Sequence, residues 1–205
     1  MNSEFSSLET STKLALLSRR RPKVILGVSG SVATIKLGLL ASSLRDFADV
    51  KIVSTQASMH FIRSLPQHVQ EELGEIAGDD DEWHRWKTVG DPVMHIDLRR
   101  WADILVIAPL SANTLAKMAN GICDNLLTCV VRAWDFRKSM LIAPAMNTFM
   151  WESSFTEQHL SVLRGLGATV IPPIAKTLAC GDVGLGAMAS VEDIAANVRN
   201  VSLLI

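Results

Sequence analysis

The run Ile104-Leu105-Val106-Ile107-Ala108 is apolar without a break and stops at Pro109. A strand with one wet face alternates apolar and polar residues. An unbroken run instead reads as a strand buried on both faces, as in a parallel sheet. Met140-Leu141-Ile142-Ala143 reads the same way, and Val24-Ile25-Leu26-Gly27-Val28, Val50 to Ser54 and Ala168 to Ile171 read as further strands. Helical patterns fall between and after them: Val32 to about Leu44, Pro66 to Ile76, a long segment from Ser111 to about Trp134, Thr156 to Gly165, and Val191 to Leu204. Strands alternating with helices predict an α/β fold, a parallel sheet with helices on both faces.

A chain of 205 residues is simplest as one domain with a real core, here 22–205. Residues 1–21 are rich in Ser, Thr and Glu, end in Arg19-Arg20-Arg21, and are expected to form a poorly ordered arm. They hold no secretory apolar core, and no apolar run approaches the roughly 18–20 residues of a bilayer span. A net charge of -1 gives no reason to expect nucleic acid or an anionic membrane as partner. Cys123, Cys129 and Cys180 are an odd set without framework spacing, which suits reducing cytoplasm.

In open α/β sheets ligands bind beyond the carboxyl ends of the strands. The first strand ends in Ser29-Gly30-Ser31 before a helical pattern, where backbone N–H groups and a positive dipole end suit a phosphate. The G-x-G-x-x-G fingerprint of dinucleotide sites is absent. Thr55 and Ser58 follow the second strand, where an NAD enzyme would place an acid, and this favours a mononucleotide phosphate. Ser111-Ala112-Asn113-Thr114 follows the Ile104 run and offers further hydroxyls and an amide. Pro144-Ala145-Met146-Asn147-Thr148-Phe149-Met150-Trp151 follows the Met140 run. In it Asn147 is an amide among apolar neighbours, fit to hold a small polar ligand.

Between Gly78 and Trp101 the pattern is looser. Asp79-Asp80-Asp81-Glu82 reads as a solvated loop, Trp83 and Trp86 as a subunit contact, and His95 as either structural or catalytic. Cys123 and Cys129 lack metal-ligand spacing and read as packing. Pro172 to Ser190, with Cys180 among several glycines, reads as a mobile lid whose thiol can act as nucleophile or as proton donor.

Taken together, Gly30-Ser-Val-Ala33, His95-Ile-Asp-Leu-Arg-Arg-Trp-Ala-Asp103, Ser111 to Thr114, Pro144 to Trp151 and Ala179-Cys-Gly-Asp-x-Gly-x-Gly-Ala-Met188 resemble the homo-oligomeric flavin-containing cysteine decarboxylases. Within that family the match is to the stand-alone eukaryotic phosphopantothenoylcysteine decarboxylases, the plant halotolerance type included. The resemblance implies a flavodoxin-like Rossmann fold and a homotrimer with FMN between subunits. It implies FMN contacts at Gly30, Ser31, Val32, Thr55, Ser58, Ser111, Ala112, Asn113, Thr114 and Ala145. Asn147, Met150, Thr177, Ala179 and Met188 are then substrate contacts, and His95 and Cys180 the catalytic pair. Thr177 and Ser190 depart from the family's usual residues. The rival expectation is a non-catalytic flavoprotein, the regulatory subunit of a protein phosphatase. The presence of both His95 and Cys180 favours the enzyme.

Overall fold

Unbroken apolar strands must be covered on both sides, and they are. The computed structural model describes residues 20–177 and 183–205. Its sheet contains β1 (Lys23–Val28), β2 (Asp49–Ser54), β3 (Ile76–Ala77), β4 (Ile104–Leu110), β5 (Ser139–Pro144) and β6 (Thr169–Val170), in the order β3-β2-β1-β4-β5-β6. Every pairing in it is parallel. With the two-residue β3 set aside, the strand order is that of flavodoxin-like folds.

A short 3-10 turn, Val32–Lys36, leads into α1 (Leu37–Arg45). Helices α2 (Gln56–Ile62) and α3 (Gln67–Leu73) follow β2, and α4 (Asp79–Arg85) and α5 (Met94–Trp101) follow β3. After β4 come α6 (Ala112–Ala119) and α7 (Leu126–Arg132), and after β5 come α8 (Thr148–Trp151) and α9 (Ser154–Gly165). The antiparallel pair β7 (Ile174–Thr177) and β8 (Val183–Ala187) precedes α10 (Val191–Ser202).

Successive strand residues serve opposite faces. Leu26, Val106 and Leu141 pack with Leu40 and Leu44 of α1 and Ile194 and Val198 of α10. Ile25, Ile107 and Ile142 pack with Leu98, Leu115, Leu127, Leu160 and Leu163 from α5, α6, α7 and α9. Truncating one such side chain to alanine costs roughly 2–5 kcal/mol. That is a large share of the roughly 5–15 kcal/mol that holds a domain folded.

Two local expectations are corrected. The helix expected from Ser111 to Trp134 is two helices, broken where Gly121 takes a left-handed φ of 69°. Asn125 restarts it: its side-chain oxygen accepts from the Thr128 N–H at 3.0 Å, and its own N–H donates to the Thr128 hydroxyl at 3.2 Å. The acidic run is helix α4, with Asp81 accepting the Gly78 N–H at 2.8 Å. The glycine-rich segment carries the strands β7 and β8 on either side of residues 178–182. Ser190, one of the family departures, caps α10 by accepting the Asp193 N–H at 2.9 Å.

Part of the basic cluster is also anchored. Arg20 makes a two-pronged contact with Asp103 at 2.7 and 2.8 Å, and Arg21 reaches Asp49 at 3.1 Å. Among the described residues no helix is long and apolar enough to cross a membrane.

Candidate active site

The chain leaves β1 for β2 on one side and returns to β4 on the other. Loops beyond the ends of β1 and β4 therefore diverge, and a crevice opens between them. A cavity of about 560 Å³ lies there, within the usual range for small-ligand sites. Gly30, Ser31 and Val32 line it from β1, Thr55 from β2, Ser111, Ala112, Asn113 and Thr114 from β4, and Ala145, Met146 and Met150 from β5.

Three helical N-termini meet at this cavity. Ser31, Thr55 and Ser111 are their caps, each side-chain oxygen accepting a backbone N–H at 3.3 Å from Ala33, Ser58 and Thr114 respectively. Backbone N–H groups in a first helical turn have no partner inside the helix and carry the positive end of its dipole. A Cβ on Gly30 would sit 2.6 Å from the Ala57 Cβ, so only glycine lets the β1 turn lie this close to α2.

Two expected hydroxyls stand behind this lining. Ser29 is fully buried; its Oγ donates to the Pro109 carbonyl at 2.8 Å and accepts the Ser111 N–H at 2.7 Å. It staples the end of β1 to the end of β4. Ser58, also buried, hydrogen-bonds the carbonyls of Thr55 and Val28 at 2.7 and 2.9 Å. It holds the start of α2 against β1 and does not line the cavity.

A second cavity of about 380 Å³ shares Ser31, Val32, Ala145 and Met146 with the first and continues to Asn147, Thr177 and Met188. Asn147 caps α8, its side-chain oxygen accepting the Phe149 N–H at 2.8 Å. The chain thus brings Asn147, Thr177 and Met188 of the expected substrate contacts beside the expected cofactor contacts, while Met150, also expected on the substrate, lines the first cavity. Ala179 and Cys180 lie outside the described residues, in the segment that joins β7 to β8.

His95 sits in a third cavity of about 420 Å³, which meets the first at Asp79, Asp124 and Asn125. Its Nδ1 is 2.5 Å from the Glu82 carboxylate. Cys129 Sγ belongs to the same group, all three ligand atoms lying within 4.8 Å of one another. Burial, helped by the Glu82 charge, pushes the Cys129 thiol up to about 11, so it stays protonated at neutral pH. Among the described residues, His95 and Asn147 line different cavities.

The family model described as Flavoprotein matches residues 14–202. The chain belongs to the flavoprotein family. Within it, the sequence is 57% identical to the phosphopantothenoylcysteine decarboxylase of Arabidopsis thaliana over 182 residues, 88% of this chain and 85% of the relative. It is 53% identical to the Mus musculus protein of the same name, over 89% of this chain and 88% of the relative. Among solved structures it matches a cysteine-to-serine mutant of PPC decarboxylase complexed with pantothenoylaminoethenethiol. The TM-score is 0.84 at 55% identity, over 90% of this chain and 100% of the other. The FMN binding protein AtHal3 matches with a TM-score of 0.83 at 53% identity, over 91% and 99%.

What this flavoprotein's sequence concealed is the company His95 keeps. Glu82 lies 13 positions earlier and Cys129 lies in another helix, so no local spacing links the three. One signal was present: Gly78 followed three residues later by Asp81 is a helix start, and a helix puts Asp79 and Glu82 on one side.

Proposed function

We propose that this chain is an FMN-dependent phosphopantothenoylcysteine decarboxylase. It converts (R)-4'-phosphopantothenoylcysteine to 4'-phosphopantetheine and CO2, a step of coenzyme A biosynthesis. The observation that carries the reading is the convergence of three capped helical N-termini on one cavity at the β1–β4 switch point. The named relatives at 53–57% identity are decarboxylases, which disfavours a purely regulatory flavoprotein.

The residues present fit FMN. Amide N–H groups after Gly30, Thr55 and Ser111 suit the phosphate, and the hydroxyls and Asn113 suit the ribityl chain. Val32, Ala145, Met146 and Met150 supply apolar surface for a flat ring system. Once bound, FMN supplies a two-electron acceptor and donor, which lets the substrate's CH2–SH pass to a thioaldehyde before CO2 leaves and the electrons return afterwards.

The protein's share is placement and proton transfer. Asn147 holds the substrate carboxylate through its amide and orients the bond that breaks. His95 takes up a proton as the thiol is oxidised. Loss of CO2 leaves an enethiolate whose charge rests partly on sulfur, which avoids an unstabilised carbanion. Cys180 then gives a proton to carbon. A free thiol titrates near ~8.5, so the proton is available at neutral pH.

Assembly as a homotrimer completes the reading. Trp83 is 71% exposed and lies with Trp86 and Val93 beside His95, an apolar rim that a neighbouring subunit would cover. FMN then sits at the subunit interface, and the enzyme works in the cytoplasm, where its thiols stay reduced.

The test is the visible spectrum of the purified protein, then CO2 release from phosphopantothenoylcysteine. The expected protein is yellow, yields FMN and not FAD on extraction, and sediments as a trimer. A colourless protein that fails to take up FMN on reconstitution overturns the reading.

A further inference from the structure

We propose that Glu82 is the positioning residue for His95, holding the imidazole with its proton on Nδ1 so that Nε2 is the nitrogen offered to substrate. This rests on the reading of His95 as the proton acceptor and adds to it the group that prepares it.

The acidic run of α4 is committed to its neighbours. Asp79 accepts the Leu126 N–H at 2.6 Å and Asp81 accepts the Gly78 N–H at 2.8 Å. Glu82 is turned inward, its side chain only 11% exposed. A carboxylate drawn that far from water needs a donor. Among the described residues no lysine or arginine lies within ion-pair distance of it; the neighbouring Arg85 pairs with Glu75 at 2.9 Å. Among the described residues Glu82 accepts hydrogen bonds only from His95, through Nδ1 at 2.5 Å and through the His95 backbone N–H at 3.4 Å, both on one carboxylate oxygen. The Nδ1 contact sets the ring against the carboxylate, and the backbone contact ties Glu82 to the start of α5.

The chemistry follows from the donor inventory. A neutral imidazole has one donor and one acceptor nitrogen, and an ionised carboxylate only accepts. Glu82 therefore selects the Nδ1–H tautomer and leaves the Nε2 lone pair as the base. When Nε2 takes a proton from substrate, the imidazolium formed lies against the Glu82 carboxylate. Cys129, the third member of the cluster, is a neutral thiol and does not compete for the imidazole proton. Asp79, Asp124 and Cys123 also line this cavity, but only Glu82 hydrogen-bonds the ring among the described residues.

The experiment uses FMN-loaded enzyme carrying 15N-labelled histidine, as wild type, Glu82→Gln, Glu82→Leu and His95→Asn. The wild-type His95 ring should show a protonated Nδ1 and a bare Nε2. Glu82→Leu should lose that tautomer, and kcat should fall by about 10- to 100-fold with KM nearly unchanged. Glu82→Gln, whose amide oxygen can accept the same proton, should keep the tautomer and recover on the order of tenfold of that loss. Equal FMN content in every variant shows that the fold is kept. If Glu82→Leu does not fold, the wild-type tautomer and Glu82→Gln decide. A wild-type His95 protonated on Nε2, or wild-type kcat in Glu82→Leu, overturns the assignment. Full activity in His95→Asn overturns the underlying reading of His95, and the tautomer result separates the two failures.

Discussion

The carbonyl of Gly186 accepts the Met146 N–H at 2.9 Å, and a Cβ on Gly186 would fall on the Met146 carbonyl oxygen. With φ at 145°, Gly186 occupies a conformation that L side chains rarely adopt. Two residues earlier Gly184 also packs closely, a Cβ there meeting the Thr148 hydroxyl at 2.5 Å. These two glycines let β8 lie directly on the Pro144–Trp151 stretch. The contact brings Thr177 and Met188 into the cavity that Asn147 lines.

Gly186→Ala should therefore damage the substrate side and spare the cofactor side. Strain of this kind costs roughly 1–3 kcal/mol, which corresponds to a Tm lowered by about 2–12 °C in a chain of this size. FMN should still bind through Gly30, Thr55 and Ser111, which line the first cavity and not the one that Gly186 lines. Decarboxylation should fall sharply. A melting curve, a flavin spectrum and a CO2 assay on one preparation check all three, and a variant matching wild type in Tm and rate would remove the functional weight from this contact.

The same glycines show where sequence reading reached its limit. A segment rich in glycine reads as mobile, yet glycine equally serves close approach of two backbones, and only the partner segment tells which. The strands were legible because Ile104 to Ala108 and its counterparts are apolar on both faces. The cavity at the β1–β4 crevice was legible because the ends of β1, β2, β4 and β5 carry hydroxyls or an amide. Ser29 and Ser58 looked like the same kind of donor, but their hydroxyls are taken up by the backbone of β1 and β4. Glu82 was hidden because four consecutive acids look solvated until the helix that aims each of them is known. The break at Gly121 was hidden because the apolar spacing of α6 carries on into α7.

Asp103 anchors the start of the domain and gives it an acid dependence. Burial raises its carboxyl, but the Arg20 hydrogen bond, the Lys23 N–H and the charges of Arg20 and Lys138 outweigh this and hold it below the usual carboxylate range. A depressed folded value contributes stability above the unfolded pKa near ~3.9 and loses it as pH falls through the folded value. Asp103→Asn should cost on the order of 1 kcal/mol at pH 7, since Arg20 is exposed and its pairing is screened. The variant should also lose less stability than wild type between neutral and strongly acid pH. Urea unfolding at both ends of that range tests it, and equal acid losses in the two proteins would remove Asp103 from the account.

Asn147→Asp separates capping from substrate binding. Asp caps a helix as well as Asn does, so α8 should keep its start and Tm should hardly move. The new charge would face the substrate carboxylate. Like charges about 4 Å apart repel by roughly 1–4 kcal/mol, depending on the local dielectric. KM should therefore rise by about tenfold or more, with FMN content unchanged. Asn147→Ala loses the cap and the amide together, and should lower both Tm and affinity. An unchanged KM in Asn147→Asp would place the substrate carboxylate elsewhere.

Cys180→Ser divides the reaction in two. The cysteine is assigned only the return of a proton to carbon, after CO2 has left. A hydroxyl is a far weaker acid than a thiol, so the serine variant should carry substrate through oxidation and decarboxylation and then stop. CO2 should appear for about one turnover per site, with phosphopantetheine nearly absent and the enethiolate product retained. His95→Asn should instead give no CO2 burst, because the proton that leaves during oxidation has no acceptor. Rapid mixing without oxygen, with CO2 and phosphopantetheine counted separately, distinguishes the two variants. If Cys180→Ser releases no CO2 while still binding FMN and substrate, the thiol acts before decarboxylation and its assigned role is wrong.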